Sequence, residues 1–290
     1  MAFDAVKETG GALFVVATPI GNLDDITLRA VKCLKEVDLI ACEDTRRTAK
    51  LLNVLGIRKP VISCFEHNER ERVDEILSRV ERGDKVALVS DAGTPTISDP
   101  GFVLVRAARE RGLAVVPIPG PSAIIAALSV SGLPTDEFLF AGFLPRTGPA
   151  RRSRLGALKS LSSTLVFYES PHRVKDSMAD LISVLGDRQA FLGREVTKVH
   201  EELKRDSLSG LARDLSARPE VLGEIVLVVA GADAANEPRG TLEGAIALFH
   251  ERVAAGSTPR QAAKEAALAS GLRVREIYAR AASRERPTGG

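Results

Sequence analysis

An α/β protein of two successive domains, followed by a short helical extension, is what this 290-residue sequence predicts. Three observations carry that reading. Short apolar runs alternate with segments of helical spacing at least five times in the first half, which predicts a mostly parallel sheet with helices on both faces. Most of these runs end in clusters of Gly, Pro, Asp, Asn or Ser. The alternation continues less regularly to about residue 231, beyond which only helical patterns remain. The expected domains are 11–121, 122–235 and 241–290.

Composition excludes several classes. Hydrophobic content of 44% with 27% charged residues is globular, so a sizeable core can form. A net charge of +2 does not by itself imply nucleic acid, and the absence of Trp argues against an aromatic base-stacking surface. Cys33, Cys42 and Cys64 have no Cys-x-x-Cys spacing and read as buried thiols in a reducing compartment. Residues 1–10 carry charges and no long apolar core, and no run approaches membrane-span length. The expectation is a soluble, cytoplasmic protein.

The densest stretch runs from Val86 to Gly101. Lys85–Ser90 suits a buried strand, and Gly93, Pro95, Pro100 and Gly101 then punctuate a loop rich in the oxygens of Asp91, Thr94, Ser98 and Asp99. Ordinary strand-to-helix connections need two to six residues, so this longer one reads as a ligand loop at the carboxyl end of a strand.

Around it the elements follow in order. Ala12–Ala17 is a strand ending in Thr18–Asp25, and Ile26, Ala30, Leu34 and Val37 mark a helix. Val37–Cys42 is a strand ending on Glu43–Arg47, and its helix runs to Leu55 and stops at Gly56. Val61–Phe65 is a strand, after which Asn68 caps a helix carrying Val73, Ile76, Leu77 and Val80. A helix from Phe102 to Arg111 leads to the strand Ala114–Ile118, the turn Pro119–Ser122 and a helix from Ala123. The second half offers strands at Phe138–Phe143, Thr164–Tyr168, Gln189–Leu192, Val199–Lys204 and Glu224–Ala230, with some antiparallel pairing. Leu144–Arg154, holding Arg146, Arg151, Arg152 and Arg154, reads as a loop. Ala232–Gly240 reads as a linker. Helices at Leu242–Ala254, Pro259–Ser270 and Val274–Ser283 then form a helix-turn-helix pattern, with Thr258-Pro259 as an N-terminal cap. This tail carries eight Lys/Arg against five Asp/Glu.

Common nucleotide motifs are absent: there is no Gly-x-x-x-x-Gly-Lys-Ser/Thr, and no Gly-x-Gly-x-x-Gly follows the first strand. The four His are scattered without metal spacing. Six ordered motifs nevertheless stand out: Thr18–Ile26, Glu43–Arg46, Ser90–Pro95, Pro119–Ala123, Phe167–Arg173 and Arg194–Lys198. Together they resemble the small-subunit ribosomal RNA cytidine 2′-O-methyltransferase I family, of the tetrapyrrole methylase-like (class III) methyltransferases. The resemblance spans about residues 12 to 231, and the tail is similar to that family's helix-turn-helix extension.

The resemblance implies a two-domain tetrapyrrole methylase-like α/β fold, a homodimer, and S-adenosylmethionine between the two domains. The implied cofactor residues are Ile20, Ala92, Gly93, Thr94, Ile97, Ser122, Ala123 and Glu169. Methyl transfer to a ribose hydroxyl is an in-line displacement that rests on positioning, and it needs no metal. A base within hydrogen-bond reach would contribute about 10²–10⁴-fold, and Glu43, Asp44 and Lys198 are the candidates. Helix capping with a surface ion pair is the competing reading of Glu43–Arg46, and a solvated charge that of Lys198. Arg46, Arg151, Arg152, His172 and Arg173 are candidate substrate contacts, with a solvated loop as the alternative for the arginine run. The expected partner is small-subunit ribosomal RNA in an assembled subunit, with no membrane. A related methylase acting on a corrinoid precursor or a protein side chain, and a non-enzymatic nucleic-acid-binding module, are the other two readings.

Overall fold

The computed structural model describes residues 10–64, 69–232, 242–270 and 272–283. They form two compact units: residues up to 156 with 164–229, and residues 157–163 with those from 230 onward. The first unit holds two five-stranded sheets.

The first sheet is wholly parallel, in the order β3-β2-β4-β1-β5, from β1 (Ala12–Val16), β2 (Leu39–Cys42), β3 (Val61–Ser63), β4 (Lys85–Val89) and β5 (Ala114–Ile118). Its strands are apolar apart from Lys85 and Ser63 at their ends, because both faces are covered. Ala12, Phe14, Val16, Ile40, Cys42, Ala87 and Val89 face one core, packed by Ala30, Cys33 and Leu34 of α1 (Leu28–Glu36) and Leu52 of α2 (Thr45–Val54). Leu13, Leu39, Ala41, Val86 and Leu88 alternate onto the other face. There they meet Val73, Ile76, Leu77 and Val80 of α3 (Glu69–Glu81) and Leu104 and Ala108 of α4 (Phe102–Glu110). The connections made by α1 and α2 therefore run toward β3 on one face, and those made by α3 and α4 run toward β5 on the other. They diverge between the neighbours β1 and β4, and ligands in open α/β sheets bind at such a switch point. The three cysteines are reduced and buried in this sheet's layers, and burial pushes the Cys33 thiol up to about 12.

After α5 (Ala123–Ser131), the second sheet has the order β6-β7-β10-β8-β9. It comprises β6 (Phe138–Phe143), β7 (Thr164–Glu169), β8 (Gln189–Arg194), β9 (Glu202–Ser207) and β10 (Ile225–Val229). Only β6 and β7 are parallel; the other pairs are antiparallel, as the sequence leads one to expect. Three local expectations are corrected. The arginine-rich stretch is not a loop through Arg154 but a helix, α6 (Gly148–Leu158), which buries Leu155 and Leu158. The strand expected at 199–204 lies at 202–207. A helix that goes unpredicted, α8 (Leu208–Ser216), buries Leu208, Leu211 and Leu215 and is capped by the Ser207 hydroxyl. The Asn68 cap and most of the expected linker lie outside the described residues.

In the second unit α9 (Leu242–Ala254), α10 (Pro259–Ser270) and α11 (Val274–Ser283) pack around Ile246, Phe249, Ile277 and a layer of alanines. Thr258 accepts from the Gln261 amide, the cap expected from Thr-Pro. No described helix is long and apolar enough to cross a membrane.

Phe14 sits in the middle of β1, fully buried between β4 and β5. Phe14→Ala should cost about 3–5 kcal/mol. Urea denaturation should give a lower midpoint with an unchanged slope.

Candidate active site

Because all five strands of the first sheet run the same way, their loops gather at one edge. The loop after β1 and the loop after β4 meet there in a two-way bridge: Thr18 N donates to Gly93 O (2.9 Å) and Gly93 N to Thr18 O (3.0 Å). The Thr18 hydroxyl also donates to Ser90 O, and that of Thr94 to Pro121 O, tying in the loop after β5. Gly93 has φ +82°, a left-handed backbone that costs glycine nothing, and an added Cβ would stand 3.5 Å from Ile20.

Beside this bridge lies a cavity of about 360 Å³, within the range of small-molecule sites. Ile20, Ala92, Gly93, Thr94, Ile97, Ser122, Ala123 and Glu169 all line it, so every residue of the expected cofactor set is brought together. The second sheet contributes Phe143, Tyr168, Gly193, Glu224, Ile225 and Val226. Ser122 is the N-cap of α5 yet makes no side-chain cap bond, which leaves its hydroxyl and the helix's first amides for an anionic group. Among the described residues, the non-glycine positions with left-handed φ are Thr96, Ser98, Glu195 and Thr197. The first two belong to the loop after β4 and the others to the turn after β8, and strain of this kind concentrates at ligand sites.

The three base candidates separate. Glu43 lines the cavity; burial, then Asp91 and Asp99, pushes its carboxyl above the ordinary range. Asp44 caps α2 by accepting from Arg46 N, and its carboxylate is gripped by the Arg46 guanidinium at 3.2 and 2.9 Å. Those bonds hold it down at about 2, so it is a poor proton acceptor. Lys198 is outside the cavity lining, with Nζ bonded to Glu195 (2.9 Å) and Glu224 (3.1 Å). Burial opposes its charge, but those two bonds prevail and raise its pKa, so the ammonium keeps its proton.

The substrate candidates are dispersed. Arg46 is exposed but paired with Asp44. Arg151 is buried and, with Arg152, paired to Asp180 at 2.7 and 3.1 Å, so the pair serves the packing of α6 on α7 (Val174–Leu185). Arg173 pairs with Glu169 and donates to Leu144 O, while His172 is exposed. Glu169, only 2% exposed, also accepts from the Ser170 amide and the Ser177 hydroxyl. Its carboxylate is fully engaged, so what it offers a ligand is backbone.

Sequence reasoning did not assign Arg47, Tyr168, Asp99 or Glu224 to the site. Arg47 is the only cation lining the cavity among the described residues, beside the carboxylates of Glu43, Asp91, Asp99, Glu169 and Glu224. Burial, then Asp91 and Glu224, lifts Asp99 to about 6, and burial with Asp99 and Glu224 lifts Tyr168 to about 12. Tyr168 lies inside a quoted motif and Asp99 in the loop after β4 already read as a ligand loop, and those are the signals that could have found them. Glu224 has none, because its place follows from β10 pairing with both β7 and β8. Among the described residues no group of His, Cys, Asp or Glu is arranged to hold a metal ion.

A parallel lobe with its crevice at the switch point, joined to a mixed second lobe, is the architecture of the tetrapyrrole methylases. The family model of the tetrapyrrole (corrin/porphyrin) methylases matches residues 12–212. Solved structures share the fold at low identity. The methyltransferase CobJ is 20% identical, with a TM-score of 0.58 over 77% of this chain and 95% of its own. A diphthine synthase is 18% identical, with a TM-score of 0.56 over 76% and 90%. Nearer relatives are named ribosomal RNA small subunit methyltransferase I. That of Pseudomonas aeruginosa is 47% identical over 281 residues, 96% of this chain and 99% of its own length. That of Thermotoga maritima is 48% identical over 221 residues, 76% of this chain and 99% of its own. Within the tetrapyrrole methylases, the chain belongs to the ribosomal RNA small subunit methyltransferase I family.

Gly93→Val would force a β-branched residue into a left-handed backbone beside Ile20. Affinity for S-adenosylmethionine, measured by calorimetry, should fall at least tenfold while the fold is retained. Unchanged binding in a folded variant would remove this loop from the site.

Proposed function

We propose that this methyltransferase binds S-adenosylmethionine in the cavity at the β1–β4 switch point. It would methylate the 2′-hydroxyl of a cytidine in small-subunit (16S) ribosomal RNA. The observation that carries this reading is the identity of 47% over nearly the whole chain to a relative named ribosomal RNA small subunit methyltransferase I, in a chain whose expected cofactor residues converge on one cavity. A tetrapyrrole, corrinoid or protein side-chain substrate has less support, since the solved neighbours named for such chemistry are 18–20% identical and share only the fold.

The donor set fits the cofactor. Ile20, Ala92, Ala123, Ile225 and Val226 offer apolar wall for an aromatic base, and the uncapped start of α5 suits a carboxylate. The excess of carboxylates over one arginine suits a cationic sulfonium. When bound, S-adenosylmethionine supplies a methyl group on a sulfonium that departs as a neutral thioether. Glu43 is then the residue to take the hydroxyl proton. Its neighbours Asp91 and Asp99 make its carboxylate a stronger proton acceptor than an exposed one. Lys198 serves as a positioning residue: Gly21 packs against its side chain, and Asn22 N donates to Thr197 Oγ1, joining the loop after β1 to the turn after β8.

The test is methylation of assembled small subunits with labelled cofactor, followed by mapping of the modified nucleotide; an unlabelled cytidine ribose would sink the proposal. Glu43→Gln should lower kcat by about 10²–10⁴-fold without weakening cofactor binding. In the wild type kcat/KM should fall as pH drops, because protonation of a base with a raised pKa removes its accepting lone pair. That fall should begin at a higher pH than an ordinary glutamate would give. A pH-independent profile with an active Glu43→Gln enzyme would leave the proton to solvent.

The three-helix tail is proposed to dock on the ribosomal subunit. Removal of residues 236–290 should leave cofactor binding normal and raise KM for the assembled subunit more than it lowers kcat. Sedimentation of the same sample tests the proposed homodimer, to which the exposed Ile125 and Val130 of α5 are suited. A truncated dimer with wild-type KM would refute docking by the tail.

A further inference from the structure

Next to the cofactor cavity lies a second, more open basin of about 480 Å³, lined by Glu43, Asp44, Thr45, Arg46, Arg47, Ser63 and Asp91. It is formed where the carboxyl ends of β2, β3 and β4 meet the start of α2. Three residues, Glu43, Arg47 and Asp91, line both spaces and so form a shared wall. In contrast to the cavity, the basin has no apolar side chain in its lining; every residue carries a hydroxyl, a carboxylate or a guanidinium. Such a surface cannot gain from burying a flat apolar base, but it offers donors and acceptors suited to a sugar and its phosphate. Its openness suits a polymer that must pass through.

Resting on the methyltransferase reading above, we infer that this basin is the acceptor subsite, holding the target ribose and an adjoining backbone phosphate, with Arg47 as the phosphate anchor. The two arginines of the basin differ in what they have left to offer. Arg46 is engaged in a fork with Asp44, which also caps α2, and its displacement would uncap the helix. Among the described residues Arg47 forms one ion pair, Nη1 to Asp91 Oδ2 at 3.3 Å, with its own side chain 66% exposed and that of Asp91 19%. Exposed pairs of this kind contribute little, whereas a guanidinium on a phosphate makes a charge-assisted, often bidentate contact. Arg47 is therefore the arginine that can turn to a phosphate, and Asp91 keeps the Asp44 amide as a partner through Oδ1 (3.1 Å). The carboxylates of Glu43, Asp44 and Asp91 in the same basin oppose strong non-specific capture of phosphate. They favour a strand already held elsewhere, as in an assembled subunit.

The shared wall makes the geometry productive. A ribose at the rim shared by the basin and the cofactor cavity can bring its hydroxyl oxygen directly against the methyl donor, with Glu43 beside that oxygen to accept its proton. Binding of the strand and removal of the proton then depend on residues 43 and 47, which flank the N-cap of α2.

The experiment compares wild type, Arg47→Ala and Arg47→Lys in three measurements: calorimetry with S-adenosylmethionine, sedimentation binding to assembled subunits without cofactor, and methylation kinetics from 50 to 200 mM salt. Arg47→Ala should keep cofactor affinity, since one cation leaves an acidic cavity. It should weaken subunit binding and raise KM about tenfold. The log–log salt slope of binding should become shallower by about 0.7, the value for one phosphate contact on a single strand. Arg47→Lys should restore the slope while leaving KM above wild type, because lysine keeps the charge and loses the fork. An unaltered salt slope and KM in folded Arg47→Ala would overturn the inference, and so would a loss confined to cofactor binding. Failure of the methyltransferase reading is distinct, since it would show as no methyl transfer by the wild type.

Discussion

The paired hydrogen bonds between Thr18 and Gly93 are the constraint on which the site depends. They join the loops of the two strands whose connections diverge, β1 and β4, and so hold the mouth of the switch point at a fixed width. Glycine is required because the backbone turns left-handed there while still offering both its amide and its carbonyl to the neighbouring loop. Once that bridge is in place, Ile20 is set on one side and Ala92 to Thr94 on the other. The hydroxyl of Thr94 carries the same constraint to the start of α5. The cavity is thus a product of backbone pairing more than of side-chain packing.

Electrostatics divide the molecule's charged residues into two kinds. Arg151, which is buried, and Arg173, Arg194 and Arg218, which are half-buried, are held by carboxylates, and removing one partner strands the other. Around the cavity the balance tips the other way, with acids crowded enough that burial and mutual repulsion raise Glu43 and Asp99. Close carboxylates with raised pKa values are costly to a fold, and they persist where a bound cation or a proton to be moved repays them.

Much of this was legible in the residues. The parallel lobe could be read strand by strand, because double burial makes its strands apolar runs and its turns are written in Gly, Pro and Asp. Convergence of the expected cofactor residues on one cavity was legible too, since they lie at or beyond the carboxyl end of a strand or at a helix start. The arginine-rich stretch reads as a loop of candidate RNA contacts because charge suggests an outward-facing side chain, whereas Asp180, 29 residues on from Arg151, turns that side chain inward. No local pattern announces such a pairing. Similarly, Asp44 and Lys198 were candidates by residue type, and only their partners, Arg46 in one case and Glu195 with Glu224 in the other, disqualify them as proton acceptors.

The three buried cysteines have a consequence of a different kind. All lie in the first sheet's layers, and neither the second sheet nor the helical tail contains another. Their burial, and for Cys33 and Cys42 the suppressed thiolate as well, closes them to electrophiles while the lobe is intact. The molecule therefore carries a native opening clock for one lobe alone. The rate at which a thiol reagent modifies it under folding conditions measures how often the first sheet and its helices open, and ligands that clamp the crevice should slow that clock without any label being introduced.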